Sequence, residues 1–215
     1  MPIPSWRKPP GWTCRIRGSL KWMPNTGSGD FSESSGLTVG TGAKSTCTPF
    51  MESEGFQTTG RAGVCSREPR EVVPGVWMTG EIPRTTPFEN TGGSFFLDKK
   101  LQNPAPLLDD QSLFLKTGAG LIVVLGCARS GVINALRYIQ ELTHEPRIHT
   151  IVGGLHLESA SPRGMNETVA ARKSIALERL GFCHCTGLAA TVRLWNEFPG
   201  RCFQAHAGLH LEIEP

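Results

Sequence analysis

The chain has 215 residues, enough for one large domain or two small ones with a substantial buried core. Its formal net charge of +3 comes without a clustered basic face, which disfavours a nucleic-acid partner. No apolar run approaches the roughly 20 residues that span a bilayer. The seven cysteines are an odd number without a CxxC pair. We therefore expect a cytoplasmic protein that has no membrane segment, no nucleic-acid partner and no disulfide framework.

Composition changes sharply near Cys65. Residues 1–65 contain 10 Gly, 8 Ser, 8 Thr and 6 Pro but only six Ile, Leu or Val. Such a segment buries too little apolar surface to offset its chain entropy, and it shows neither a helical nor a strand period. The sequence therefore predicts a poorly ordered, low-complexity leader over 1–65 and a folded domain over 66–215.

The folded part begins with predicted strands. Residues 73–80 indicate a turn and a strand, and a polar loop follows from 83 to 103. The apolar runs at 112–116 and 121–126 are separated by a glycine-containing turn, which predicts a hairpin. Ser130 is predicted to cap a helix with apolar residues at three- and four-residue spacing. These apolar positions are Val132, Ile133, Leu136, Ile139 and Leu142.

Further along, strands alternate with helices, which indicates an α/β protein. The predicted strands are Ile148–Val152, Phe182–Cys185, Arg201–Phe203 and Leu209–Ile213. One helix is predicted to open at Asn166 and to end at a Gly181 C-cap, and a second is predicted to be capped by Thr186. The apolar positions are Val169, Ala176, Leu177 and Leu180 in the first helix and Leu188, Val192, Trp195 and Phe198 in the second.

Three loops at the ends of predicted strands contain sulfur or nitrogen donors. In α/β sheets, ligands gather where loops leave the carboxyl ends of strands. Cys127, His156 and His184 lie in these loops, and thiolate and imidazole suit Zn, Fe or Cu. A metal site is one interpretation, and burial of Cys127 and His156 in the core is the other. Cys183 and Cys185 flank His184 and would share one face of the predicted strand.

Charged residues beside these loops allow two interpretations each. Arg129 precedes a predicted helix N-terminus, where it either helps to bind an anion or is a solvated loop residue. Asp110, next to Asp109, is either an oxygen ligand or general base or an ordinary turn residue. The sequence contains no GxGxxG, GxxxxGK[ST] or GxSxG motif.

Five segments carry a family resemblance. They are Pro74–Arg84, Asp110–Leu113, Gly120–Cys127, Ile151–Leu157 and His184–Gly187. In order and spacing they resemble the metallo-β-lactamase-fold hydrolases, on the branch related to an archaeal dihydropterin ribofuranosyl-aminobenzene phosphate synthase. The resemblance runs from about Ser66 to the C-terminus. It implies an αββα sandwich with a dinuclear metal centre, usually zinc, which activates water or polarises a phosphate or carbonyl oxygen.

The chain departs from this family at two places. The family's Gly-Cys-Ser-His segment corresponds to Gly126–Arg129, where Arg129 replaces the histidine, and arginine cannot bind a metal. The family's first metal motif, His-x-His-x-Asp-His, has no counterpart, because residues 1–143 contain no histidine. We therefore expect an α/β (α+β) sandwich whose N-terminal half is incomplete or replaced.

The resemblance implies residual roles for part of the site. The expected metal ligands are His184, His156, Cys127 and Asp110, and the expected substrate-binding residues are Glu81, Arg84 and Arg129. The cofactor would be at most one weakly held zinc ion, or none if the site is inactive. A small-molecule substrate or anion is the expected partner, and a homodimer that completes the sandwich is a further expectation.

The expected function is a truncated or degenerate metal-dependent hydrolase, from a family of hydrolases and pterin-pathway transferases, whose catalysis the absent first motif calls into question. Two alternatives stay open. One is a non-catalytic module that binds an anion or a phosphate ester at Arg129 and the following helix N-terminus. The other is a gene remnant without a function.

Overall fold

The computed structural model describes residues 66–89, 95–96 and 101–212, together with the backbone of two short strands at 37–38 and 45–47. The leader predicted over 1–65 therefore lies almost wholly outside the described residues. In chain order the elements are β1 (Leu37–Thr38), β2 (Ser45–Cys47), β3 (Arg70–Val73), β4 (Val76–Met78), β5 (Phe95–Phe96), β6 (Ser112–Lys116), β7 (Leu121–Leu125), α1 (Val132–Thr143), β8 (Ile148–Gly153), α2 (Pro162–Lys173), β9 (Leu177–Phe182), a 3-10 turn (His184–Thr186), α3 (Leu188–Glu197) and β10 (Cys202–Gln204).

Seven of the strands form one mixed sheet in the order β10-β9-β8-β7-β6-β4-β3. The strands β3, β4, β6 and β7 are antiparallel neighbours, whereas β7, β8, β9 and β10 run parallel. A smaller sheet has the order β1-β2-β5. The predicted mixture of strands and helices is confirmed as an α+β arrangement built on a mixed sheet.

The helices α1, α2 and α3 connect consecutive parallel strands of the sheet. Crossovers of the usual right-handed type that step in one direction along a sheet place their helices on the same face. Apolar residues of the helices and strands accordingly share one core. Its members include Leu121, Val123, Ile133, Leu136, Ile139, Ile151, Val169, Leu180 and Leu194. Within the part of the chain that the structure describes, no helix is long and apolar enough to cross a membrane.

The predicted hairpin is confirmed. The strands β6 and β7 pair antiparallel from Ser112 with Leu125 to Lys116 with Leu121. Thr117 closes the turn, because its backbone N–H and its hydroxyl both donate to the carbonyl oxygen of Gly120, at 3.0 and 2.7 Å. This strand pair leads directly into the loop that carries Cys127.

The helix predicted to open at Asn166 is wrong at both ends. The observed α2 begins at Pro162, where Ser161 Oγ accepts a hydrogen bond from Gly164 N at 3.0 Å. It ends at Lys173, and Leu177 and Leu180, which were assigned to the predicted helix, belong to β9. Gly181 is a strand residue and no C-cap. A Cβ atom there would lie 2.4 Å from the ring of Phe203, so packing against the neighbouring strand selects glycine.

The strand predicted over 182–185 ends at Phe182, and the chain then makes the 3-10 turn. Thr186 does not cap α3 as predicted. Its hydroxyl oxygen instead accepts a hydrogen bond from Leu155 N at 3.1 Å, which ties this turn to the loop after β8. Gly187, with φ of 75°, takes the N-cap position because it tolerates the left-handed region.

The apolar stripe predicted on the last helix lies mostly on the outside. Leu188, Val192 and Trp195 are 80%, 52% and 43% exposed, whereas Ala190 and Leu194 face the core. Phe198 is buried beyond the end of the helix. The strand predicted over 201–203 is confirmed by β10, while the described residues 209–212 join no strand of the seven-stranded sheet.

A distant carboxylate caps the N-terminus of α1. Glu89 Oε1 accepts a hydrogen bond from Ile133 N at 2.7 Å, and its Oε2 accepts one from Asn134 N at 2.9 Å. The hydroxyl of Ser130, the predicted cap, donates to Asp110 Oδ2 instead of bonding to the first turn, and Gly131 occupies the N-cap position. The chain's own carboxylate thus fills the electropositive position that the predicted anion-binding module would need.

We expect Glu89→Gln to lower the free energy of unfolding by about 1–2 kcal/mol, a typical cost for the loss of a helix cap. The glutamine side chain has one acceptor oxygen in place of two, so it can replace only one of the two acceptors that Glu89 provides. It also has no negative charge to interact with the helix dipole. Urea denaturation monitored by circular dichroism measures the change. Glu141→Gln, on the exposed side of the same helix, is the matched control and should change stability by less than about 0.5 kcal/mol. Equal effects of the two substitutions would contradict the capping role.

Candidate metal centre

The loops that follow β7, β8 and β9 meet at the carboxyl edge of the parallel strands. Backbone hydrogen bonds join them: Gly154 N donates to Gly126 O at 3.0 Å, and Cys183 N donates to Gly153 O at 3.2 Å. Glu158 N also donates to Cys185 O at 3.2 Å. These bonds fix the three loops against each other and bring donors from distant parts of the chain to one place.

Cys127, His184 and Cys185 form a group of metal-ligating side chains at this edge. Their ligand atoms all lie within 4.8 Å of one another. Cys127 Sγ is 3.2 Å from His184 Nε2, and Cys185 Sγ is 3.5 Å from Cys127 O. The two cysteines are partly buried and the histidine is exposed. Among the residues that the structure describes, this is the one group of three or more potential ligands.

Cys183 holds the opposite side of the histidine ring. Its Sγ is 3.0 Å from His184 Nδ1, while Nε2 faces Cys127. A partner at one ring nitrogen fixes the orientation of an imidazole and directs the other nitrogen toward a metal. The cysteine before His184 therefore orients the ring, and the cysteine after it contributes to the group of ligands.

The backbone around the group is unusual in two ways. Ala128 and His184 have φ angles of 48° and 22°, in a region that non-glycine residues rarely adopt. A Cβ atom at Gly154 would lie 2.5 Å from His184 Nε2 and 2.6 Å from Cys185 Sγ. The group thus has backbone strain of the kind found at functional sites, and it depends on a glycine in the neighbouring loop.

The two thiols of the group have very different acidities. A hydrogen bond with the Cys185 thiol lowers the pKa of Cys127 to about 5, with further help from His184 and Arg129 and against the effect of burial. The same hydrogen bond and burial raise the pKa of Cys185. The hydrogen bond thus favours ionisation of Cys127 over ionisation of Cys185. Thiolate is the form of cysteine that binds metal ions.

The structure places two of the predicted ligands outside this group. The ring nitrogens of His156 are buried and have no hydrogen-bond partner among the described residues. They lie in a small cavity that Glu89 and Thr168 also line. Asp110 Oδ2 accepts hydrogen bonds from Ser130 N at 2.8 Å and from Ser130 Oγ at 2.7 Å. The arrangement thus uses Asp110 to hold the loop before α1.

The residues predicted on the substrate side have structural contacts. Arg84 donates to Leu107 O at 2.9 Å and to Arg129 O at 3.3 Å, which joins two loops. Burial lowers the pKa of Arg84. The Arg129 guanidinium lies 4.5 Å from the ring centroid of Phe95. The backbone N–H of Glu81 donates to Arg67 O at 2.9 Å. Of these residues, Arg129 adds positive charge near the thiols.

The sequence pattern did not identify Cys185 as a candidate ligand, nor Gly154 as the residue that makes room for the group. The prediction of a strand over 182–185 placed Cys185 on the same side as Cys183. The observed 3-10 turn separates the two thiols instead. The available sequence signal for Gly154 was its position two residues before the loop histidine His156. The contact that requires glycine is with His184, which lies 30 positions further along the chain.

Comparisons with known proteins give consistent results. The chain is 29% identical over 163 residues to 7,8-dihydropterin-6-methyl-4-(beta-D-ribofuranosyl)-aminobenzene-5'-phosphate synthase of Methanocaldococcus jannaschii, covering 72% of this chain and 54% of the synthase. The uncharacterized protein MJ0448 of the same archaeon is 29% identical over 127 residues, which are 59% of this chain and 46% of that protein. No protein-family model matches the chain.

A solved structure also has this fold. Tm1679, described as a metal-dependent hydrolase of the beta-lactamase superfamily, superposes with a TM-score of 0.63 at 31% identity, over 71% of this chain and 58% of that one. The chain thus spans about half the length of the relatives that it matches. In sequence and in fold, it is similar to the metallo-β-lactamase superfamily and to an archaeal synthase of the pterin pathway.

Proposed function

We propose that this chain is a metal-dependent hydrolase of the metallo-β-lactamase type that uses one zinc ion held by Cys127, His184 and Cys185. The observation that carries the proposal is the group formed by these three side chains at the carboxyl edge of the parallel strands. A protein of similar fold and sequence is described as a metal-dependent hydrolase, which supports hydrolysis as the reaction class.

The donor set fits one zinc ion but not two. Two thiolates and one imidazole are ligands that zinc prefers, and three protein ligands with an open position are typical of catalytic zinc sites. A dinuclear centre needs more ligands than this group offers, and the chain has no His-x-His-x-Asp-His motif anywhere in its sequence. His156 and Asp110 do not complete a second site, because they lie outside the group of ligand atoms.

Each residue of the site has a distinct role in this proposal. Cys127 and Cys185 supply the sulfur ligands, and Cys183 orients His184 so that Nε2 faces the thiols. The exposed position of His184 leaves the site open to a substrate from solvent. A bound zinc ion would supply Lewis-acid polarisation of a substrate oxygen or an activated water.

The charge near the site favours an anionic substrate. Arg129 is close enough to lower the pKa of Cys127, so its positive charge acts on the same region. A small phosphate ester is the substrate class that a cationic side chain beside a zinc site attracts. The N-terminus of α1 does not take part, because Glu89 already occupies it. We therefore propose phosphate-ester hydrolysis rather than anion binding alone.

The test is a zinc titration followed by an activity assay on the full chain. Protein treated with a chelator should bind one equivalent of zinc per chain, measured by elemental analysis after gel filtration. Zinc should then restore hydrolysis of phosphomonoesters or phosphodiesters that the metal-free protein lacks. A folded protein that binds no zinc, that binds two equivalents, or whose hydrolysis does not depend on zinc would contradict the proposal.

A further inference from the structure

Two thiols of the proposed centre lie close together. Cys127 follows β7 and Cys185 follows β9, and the two are 58 positions apart in the sequence. Their Sγ atoms are within 4.8 Å of each other, and both residues have free thiols. The parallel strands hold the two loops in place, so the thiols meet without any local chain connection.

We propose that Cys127 and Cys185 form a reversible disulfide bond that removes two of the three zinc ligands and thereby switches the centre off. The loss of zinc rests on the proposed function, whereas formation of the disulfide does not. The site would then respond to the redox state of its surroundings through the same atoms that bind the metal.

The oxidant is a low-molecular-weight disulfide such as oxidised glutathione. The Cys127 thiolate attacks one sulfur of the small disulfide, which forms a mixed disulfide and releases one thiolate. Cys185 loses its proton and attacks Cys127 Sγ, which forms the protein disulfide and releases the second thiolate. Two protein thiols and one small disulfide thus give one protein disulfide and two small thiols.

The geometry favours this pair over other pairs in the described chain. Cys183 lies at His184 Nδ1, so the imidazole ring stands between its sulfur and Cys127. Cys202 Sγ contacts Leu194 O at 3.5 Å, away from the group. Cys127 and Cys185 are the two thiols that belong to the same group of ligand atoms.

Formation of the disulfide requires the two sulfur atoms to move from their positions in the structure. An S–S bond is about 2.05 Å long, so the sulfur atoms must move toward each other. A Cβ atom at Gly126 would meet none of the described residues within 4 Å, so this side of the residue before Cys127 is open to them. The exposure of His184 also lets a small disulfide reach the thiols.

Disulfide mapping of the full chain tests the proposal. Reduced, chelator-treated protein is equilibrated in glutathione buffers of increasing oxidation, alkylated and digested, and its linked peptides are identified by mass spectrometry. We expect a peptide pair that joins Cys127 to Cys185. It should persist in Cys183→Ser and Cys202→Ser and be absent in Cys185→Ser. A Cys127 that stays reduced, stays joined to glutathione, or pairs with another cysteine would overturn the proposal.

A second arm separates this proposal from the proposed function. Protein loaded with zinc is treated with oxidised glutathione, and released zinc is measured with a chromogenic chelator. One zinc ion should be released for each disulfide formed, and a reducing agent should restore binding. If the disulfide forms but the reduced protein never binds zinc, the proposed function fails and the cysteine pair stands. If zinc binds but the metal-free thiols resist oxidation, the switch is wrong and the metal site stands.

Discussion

His184→Ala is expected to weaken zinc binding by more than about 100-fold. Loss of a partner that merely orients a ligand costs 10–100-fold in metal affinity, so loss of the ligand itself should cost more. The imidazole is exposed, which means that its removal leaves the core intact and the protein folded. A competition titration with a chromophoric zinc chelator measures the dissociation constant, and circular dichroism checks the fold.

His156→Ala is the informative comparison for this substitution. The sequence predicts His156 as a second histidine ligand, whereas the structure places it outside the group around Cys127. Zinc affinity should therefore change by less than about threefold, which is well under the 1.4 kcal/mol that a tenfold change represents. Comparable losses in the two variants would restore the ligand set predicted from the sequence and contradict the one that we propose.

Gly154→Ala is expected to weaken zinc binding by about 10–100-fold without a change in any ligand. The added methyl group would lie 2.5 Å from the His184 ring and 2.6 Å from Cys185 Sγ, closer than atoms can approach. Because His184 is exposed, the ring can swing away, and the cost falls on the geometry of the site rather than on the core. The same chelator titration measures the loss, and urea denaturation should show a stability change of less than about 1.5 kcal/mol.

Gly126→Ala provides a matched control in the adjoining loop. A Cβ atom at Gly126 would meet no described residue within 4 Å, although this glycine lies next to Cys127 in the sequence. Its zinc affinity should remain close to that of the unchanged protein. If both glycine variants lost zinc to the same extent, the effect would come from loop stiffness and not from the contact between Gly154 and His184.

Local sequence patterns predicted the elements whose signals are short and unambiguous. The glycine turn at 117–120 predicted the hairpin, and spacing at three and four residues predicted α1. The same rule failed at 176–181, because Leu177 and Leu180 are buried strand residues whose three-residue spacing also fits a helical stripe. The predicted Ser130 cap of α1 was wrong for another reason. The carboxylate that caps the helix belongs to Glu89, which lies more than 40 positions earlier in the sequence and outside any local pattern.

The residues of the candidate site also differ in how far the sequence could identify them. Donor chemistry and the ends of strands pointed to Cys127 and His184, and the structure brings these two together. The position of the Cys185 thiol depends on whether the chain after Phe182 stays extended or turns. The observed turn is a 3-10 helix of only three residues, too short for a periodic pattern to predict. His156, similar in local context, faces a separate small cavity.

By itself, the sequence determined that this chain contains an α/β pattern over its last two-thirds and soft donors at the ends of its strands. It also determined that no His-x-His-x-Asp-His motif is present. Only the tertiary structure decided which donors meet, because their distances depend on hydrogen bonds between loops far apart in sequence. Periodicity reports which side of an element is apolar, whereas a metal site depends on ångström-scale contacts between elements.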